Sequence, residues 1–304
     1  MLDAHPTSRD ESPLTSPAVA ALLRCPGCGH DGMALTATTA KCAVCQRQYS
    51  IEQGVVDLAP PGGRETRSVT QRLMESRFYA RFYEDVMRPR LTGVVTERTL
   101  PQEYRLAAEF LDFGQASAVL DVACGTGNFT RYFAERLEAR GSSATLVGVD
   151  ISWPMLEVAR KNLRREHLED RVHLVRANAT RFPLRTGAFD RLHCAGALHM
   201  MEDVDGALRE FARLLEPGGV AVIGTFVLGR GLTRRVAKRI AEIPTRFHWF
   251  GRGELERRLE RVGLHVLNSS VVGELRASSY WTSAKFGSFA AACLKSSWAS
   301  CARS

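Results

Sequence analysis

The stretch "SAVLDVACGTGNFTRYFAERL", residues 117 to 137, leaves few architectures open. The apolar run Val119 to Ala123 predicts a buried parallel strand, the glycines at 125 and 127 a tight turn, and the apolar spacing after them a helix. The same alternation continues. "ATLVGVD" reads as a second strand ending at Asp150, followed by a helix over Pro154 to Leu163 and a strand in "VHLVRAN". Further strands are expected in "FDRLHCAGAL" and "GGVAVIGTF", with a helix between them over Val204 to Leu215. Alternating strands and helices predict an α/β fold, a doubly wound Rossmann-like sheet with ligands at the carboxyl ends of its strands.

The first turn also restricts the ligand. A dinucleotide fingerprint has a third glycine where this chain has Thr130, and Asp121 stands four residues before Gly125. A carboxylate there would repel a pyrophosphate but suits a ligand with an ammonium group and a sulfonium. Asp150, closing the second strand, can accept from both hydroxyls of a ribose. The combination points to S-adenosylmethionine, in preference to NAD.

At the amino end, "RCPGCGHDGMALTATTAKCAVC" places Cys25 and Cys28 ahead of Cys42 and Cys45. Two C-x2-C knuckles a hairpin apart form the ligand pattern of a closed tetrahedral zinc site, structural because four thiolates leave no open position. Between them, "MALTATTAK" alternates as one strand would. Such a segment is too small to bury its own core, so the metal would staple it. Of the other cysteines, Cys124 and Cys194 read as small core residues, while Cys293 and Cys301 lie in a Ser/Ala-rich tail.

Totals add bounds. The 304 residues predict one main core with an appendage, and 45% hydrophobic against 24% charged residues is ordinary for a globular chain. The net charge of +8 hints only mildly at an anionic partner. With no apolar run long enough to span a bilayer and no signal-like amino terminus, the expected location is cytoplasmic, where eight cysteines would be thiols and metal ligands.

The motifs "VLDVACGTG", "GVDIS", "RANATRFPLRTGAFD", "CAGALHMMEDVDGALREFARLLEPGG" and "FGRGELERRLERVGL" together resemble the type-11 methyltransferase family from about residue 116 to 286. With the cysteine clip and "SRFYARFYEDVMRP", the likeness is to a zinc-ribbon-bearing group of chloroplast and bacterial enzymes similar to the ubiquinone/menaquinone type. The resemblance implies S-adenosylmethionine at Asp121, Gly125, Thr126, Gly127, Asp150, Ile151, Met155, Asn178 and Ala179. Within that set, Gly125 and Gly127 would approach the methionine part, Asp150 would hold the ribose, and Ile151 and Met155 would flank the adenine. The family has Asp where this chain has Asn178, whose carbonyl oxygen would accept from the adenine amino group instead.

Methyl transfer from a sulfonium asks mainly for positioning in a dry site. A base is needed only for a protonated acceptor, and the candidate is His199 in "GALHMM"; a helix cap or a pocket floor explains it as well. Glu202 and Asp203 are expected to open the next helix. Two inserts would roof the acceptor. One is a helical run over 68 to 112 with Phe78, Tyr79, Phe82 and Tyr83, where core packing competes with ligand contact. The other, 226 to 250, carries Leu232, Val236 and Ile240 on one side and Arg234, Arg235, Lys238 and Arg239 on the other; it could be solvated, grip a phosphate or lie on a membrane.

The expected organisation is a disordered start over 1–20, a zinc ribbon over 21–60, hinge and lid over 61–115, the methyltransferase domain over 116–286 and a tail over 287–304. The ribbon is read as a lid or docking domain hinged at 60–63, whose loss would leave cofactor binding largely intact. Its charges balance, with Arg24, Lys41 and Arg47 against Asp31, Glu52 and Asp57. A neutral ribbon without a stacking pair favours a small aromatic or lipophilic acceptor over the main rival, methylation of a ribosomal RNA guanine. A non-catalytic scaffold is third, opposed by intact Gly125, Gly127 and Asp150.

Overall fold

Parallel pairing organises the molecule. The computed structural model describes residues 16–59, 99–228, 248–251, 253–272 and 277–287. Its central strands are β5 (Ala118–Val122), β6 (Thr145–Asp150), β7 (Val172–Arg176), β8 (Phe189–Ala195) and β9 (Leu215–Leu228). They run parallel in the order β7-β6-β5-β8-β9, and the antiparallel pair β12 (Ala277–Phe286) and β11 (Leu264–Val272) continues the sheet beyond β9. Every residue of β5 is buried, as expected of a strand covered on both faces. Its start is fixed by Asp190 Oδ2, which accepts from the Ser117 N–H, the Ser117 hydroxyl and the Ala118 N–H.

Helices cover both faces. On one side α2 (Leu100–Leu111), α3 (Asn128–Glu138) and α4 (Trp153–Arg165) bury Leu111, Phe133 and Leu156 in one core. On the other, α5 (Val204–Leu214) and α6 (Glu254–Arg261) bury Phe211 and Leu259 in a second. Asp203 caps α5 by accepting from the Gly206 N–H at 2.7 Å, as its position in the sequence suggests. A short strand, β10 (Phe250–Gly251), pairs with the end of β9. Among the described residues no helix is long and apolar enough to cross a membrane.

The amino-terminal segment departs from expectation in three ways. First, the chain is helical from residue 17, not disordered to 20: α1 (Pro17–Leu22) starts under a Ser16 cap and buries Val19 and Leu22. Second, "MALTATTAK" forms two strands, β1 (Ala34–Leu35) and β2 (Thr39–Lys41). Thr36 breaks the run, its N–H donating to the Thr39 carbonyl while its hydroxyl accepts from the Thr39 N–H.

Third, the segment is part of the sheet and not a separate lid or docking domain. β3 (Gln48–Glu52) pairs with β2 and with β4 (Val55–Asp57), and β4 lies parallel to β7 with Val55, Val56 and Asp57 opposite Leu174, Val175 and Arg176. Leu23, Ile51, Val56 and Leu58 are buried in the same core as Val149 and Phe211. Burying each such side chain contributes roughly 1.5–3 kcal/mol, so the appendage and the sheet stabilise one another. The 60–63 hinge, Phe78 to Tyr83, the Leu232–Arg239 stretch and Cys293 and Cys301 lie outside the described residues; of the 68–112 run only α2 and its flanks are described.

Candidate cofactor and metal sites

Between β5 and α3 the backbone makes an open cradle. Ala123, Gly125 and Gly127 have φ of +53°, +57° and +81°, three left-handed residues within five. For Ala123 that conformation carries strain, which clusters where a ligand must be approached. Among the described residues, a Cβ built on Gly125 meets nothing within 4 Å, which leaves space beside it for a ligand. Gly127 differs: a Cβ there comes within 3.3 Å of the Ala159 Cβ, so this glycine lets α3 and α4 pack. Gly127 also caps α3, whose amino terminus favours a negatively charged group such as a carboxylate.

Asp150 faces this loop. Its Oδ2 accepts from the Gly125 N–H at 2.9 Å and its Oδ1 from the Ser152 N–H at 2.8 Å. Burial raises the carboxyl above 3.8, and the N–H groups of Ser152 and Gly125 oppose that rise. Each oxygen keeps a second lone pair, so the pair can still accept from two vicinal hydroxyls. Ile151 follows directly, its carbonyl held by Arg176 Nε at 3.0 Å, and Met155 is buried on the first turn of α4.

Other expected residues stand elsewhere. Asp121 is buried with both oxygens engaged, Oδ1 with His193 Nδ1 at 2.8 Å and Oδ2 by the Thr130 hydroxyl. Its charge lies beneath the loop, buried against these two partners. Thr126 is also turned inward, its hydroxyl accepting from Asn128 and its carbonyl from Asn162. The Asn178 carbonyl oxygen, expected to accept from an adenine, instead accepts from the Thr180 N–H at 2.9 Å and its hydroxyl at 3.0 Å. An Asx turn is the local alternative open to asparagine, and here it wins. Ala179, next in that turn, packs against the second core.

His199 lies in a 3-10 turn beyond β8, at the ligand end of the sheet. Its Nδ1 is 3.4 Å from the Thr225 hydroxyl, its ring meets Phe226 edge-on, and its carbonyl accepts from the His248 N–H. Burial holds it down to about 4, so it is neutral at physiological pH and could take a proton only from an acidic acceptor. His173 on β7 is likewise held at about 4 by burial.

These two histidines set a pH dependence. An unfolded histidine protonates near 6.5, so between that pH and 4 the unfolded chain binds protons that the native chain refuses. Stability is therefore full above about pH 6.5 and falls as the pH drops toward 4. At pH 5 the loss is on the order of 2 kcal/mol for each. Melting curves should show a lower midpoint at pH 5 than at pH 7.5 by several degrees. His173→Gln/His199→Gln should flatten that difference, and an unchanged slope would contradict the assignment.

The four cysteines converge. Cys25 and Cys45 sulfurs lie 3.6 Å apart, as do those of Cys28 and Cys42, and all four fall within 4.8 Å of one another. Four thiolates around zinc at about 2.3 Å would sit about 3.8 Å apart, whereas a disulfide requires about 2.05 Å. The donor set thus fits a tetrahedral metal. The knuckles match: Gly29 and Gln46, each just after a second cysteine, adopt left-handed φ and donate to the carbonyls of Cys25 and Cys42. Burial opposes ionising Cys25, but hydrogen bonds from the Tyr49 hydroxyl and the Cys28 and Gly27 backbone prevail and bring it to about 6.

Sequence reasoning missed three connections. His193 is fully buried among Phe129, Phe133 and Trp281, holding Asp121; a histidine inside a strand gave no signal of that partner. Thr225 beside His199 comes from a different strand. Arg176 bridges Asp57 and Ile151, a link that depends on the unforeseen β4–β7 pairing.

Comparison with known proteins identifies a methyltransferase domain and agrees with the fold. Residues 119–219 match the methyltransferase domain family, and the fold is that of the class I S-adenosylmethionine-dependent methyltransferases. An uncharacterized chloroplastic methyltransferase of Arabidopsis thaliana is 27% identical over 72% of this chain and 66% of its own length. A ubiquinone/menaquinone biosynthesis C-methyltransferase of Hahella chejuensis is 37% identical over 36% of this chain and 43% of its own. The chain thus spans less than two thirds of the length of these relatives. Among solved structures, the [4+2]-cyclase SpnF aligns with a TM-score of 0.54 at 19% identity, over 61% of this chain and 80% of that one.

Proposed function

We propose that the chain is an S-adenosylmethionine-dependent methyltransferase acting on a small aromatic or lipophilic acceptor, with a structural zinc at Cys25, Cys28, Cys42 and Cys45. The observation that carries the reading is the Gly125 opening beside Asp150, with an engaged but not saturated carboxylate facing bare backbone. Bound there, the cofactor would supply an electrophilic methyl group. Asp150 would orient the ribose, Ile151 and Met155 would border the adenine, and the α3 amino terminus would favour the methionine carboxylate. Asp121 would act through its field from beneath the loop. His199 is the candidate base for an acidic acceptor, with Thr225 setting its ring.

Two things favour the small acceptor. One relative is named for quinone biosynthesis. In addition, two of the three cationic side chains of the cysteine-rich segment serve its own fold: Arg24 Nε donates to the Gly29 carbonyl at 2.8 Å and pairs with Asp31, and the Arg47 side chain covers Gly27. An RNA-binding face would instead present such charges outward. We place the protein in the cytoplasm, where cysteines persist as thiols and metal ligands; the Arabidopsis relative is named chloroplastic.

The test is methyl transfer from radiolabelled S-adenosylmethionine to an organic-solvent extract of host cells and, separately, to total RNA. Label should enter the extract, and about as well at ~200 mM as at ~50 mM salt, because apolar burial is not screened. Phosphate contacts would instead lose orders of magnitude over that range. Label in RNA at a defined base and never in the extract would transfer the reading to the ribosomal RNA alternative. No transfer to either would favour the scaffold.

A further inference from the structure

Three neighbouring strands end level with one another. Asp57 closes β4, Arg176 closes β7 and Asp150 closes β6, and the register sets Asp57 opposite Arg176 and Arg176 opposite Asp150. Side chains join what the ladders align. Asp57 Oδ2 is 3.0 Å from Arg176 Nη1, and Arg176 Nε donates to the Ile151 carbonyl at 3.0 Å. The other Asp57 oxygen accepts from the Ala59 N–H at 3.1 Å, which fixes the carboxylate from its own strand. Both partners of the pair are mostly shielded, with side-chain exposures of 24% and 22%, so the interaction is screened less than a surface pair.

We propose that Asp57, supplied by the cysteine-rich segment, is a positioning residue for the cofactor loop, acting through Arg176 on the Ile151 carbonyl. The inference rests on the reading of the Gly125–Asp150 cradle as the S-adenosylmethionine site. A guanidinium held in a fork donates along fixed directions. With Asp57 on one side, Arg176 is committed to Ile151 on the other, which sets the peptide immediately after Asp150. The turn in which Ser152 donates to Asp150 is then held at both ends. Removing the Asp57 charge frees Arg176 to turn toward Asp150 and neutralise the carboxylate meant for the ribose. The metal segment and the cofactor site are thereby coupled, and coupling of this kind is reciprocal.

The test is titration of S-adenosylhomocysteine into the full, zinc-loaded chain and its variants, with melting temperature recorded beside affinity. Asp57→Asn keeps the shape and removes the charge, and should weaken binding about tenfold while the melting midpoint moves little. Asp57→Glu restores the charge and should recover most of that loss. Gln53→Ala is the control, because it removes the contact of the same segment with Arg160 on α4, away from Ile151, and should bind as wild type does. Wild-type affinity in Asp57→Asn overturns the proposal, as does an equal loss in Gln53→Ala, which would mark generic loosening. If the wild-type chain itself binds no S-adenosylhomocysteine, the cofactor reading fails first and this inference falls with it.

Discussion

Replacing Cys42 with serine should empty the metal site and lower the melting midpoint of the whole chain by on the order of 10 °C. A three-thiolate remnant leaves the knuckle around Gln46 without its anchor, and zinc affinity in such sites is folding free energy. The loss cannot stay local, because β3 and β4 are strands of the central sheet and Ile51, Val56 and Leu58 fill its core. Cofactor affinity should decline together with stability, where a separately folded ribbon would leave it untouched. Metal analysis, melting curves and S-adenosylhomocysteine titration on the same preparation decide the matter. A Cys42→Ser chain that loses zinc yet melts and binds like the wild type would restore the picture of an independent appendage, and one that keeps its zinc would remove the metal assignment.

That difference between appendage and sheet strand marks where the sequence stops being informative. The knuckle spacing was legible because metal geometry dictates residue type at fixed intervals, and the structure brings all four sulfurs together. The destination of Val55–Asp57 was not. A three-residue strand carries too short a pattern to declare its partner, and parallel pairing with β7, more than a hundred residues on, is decided by the tertiary core. The central strands, by contrast, were legible as apolar runs, because strands covered on both faces carry few polar positions. Their ends were not, and β9 begins at Leu215, where a helix is expected.

Asp150→Ala should reduce affinity for S-adenosylmethionine and its demethylated product about a hundredfold. Two hydrogen bonds to a partly buried carboxylate are lost, and together they are worth about 3 kcal/mol. The variant also removes the carboxylate to which the Gly125 and Ser152 N–H groups donate, so the cradle loosens as well. Asp150→Asn separates these effects. It keeps one acceptor oxygen for the turn but no charge, and should bind with intermediate strength. Equal affinity across wild type, Asn and Ala would show that the ribose is not held there.

Within the candidate site, glycines and strand-end acids could be read because each answers a backbone or ligand requirement that few residues meet. Asp121 was read for its charge, but charge does not reveal direction; Thr130 and His193 claim both of its oxygens from positions 9 and 72 residues away. Asn178 reads as a surrogate for aspartate, but "NAT" also encodes an Asx turn, and the Thr180 N–H two residues on takes the side-chain oxygen. His199 was placed at the correct end of the sheet, but its neutral state follows from burial by Phe226 and the turn around it, which no local pattern encodes.

The central claim is that the loop after β5 and the end of β6 form a site for S-adenosylmethionine and not for a dinucleotide. Calorimetric titration of S-adenosylhomocysteine and, in parallel, of NAD into the full, zinc-loaded chain tests it most directly. The account predicts saturable binding of S-adenosylhomocysteine at one site per chain, weakened by Asp150→Ala, and no saturable heat with NAD. Saturable NAD binding in its place, or the absence of any response to S-adenosylhomocysteine, would contradict it.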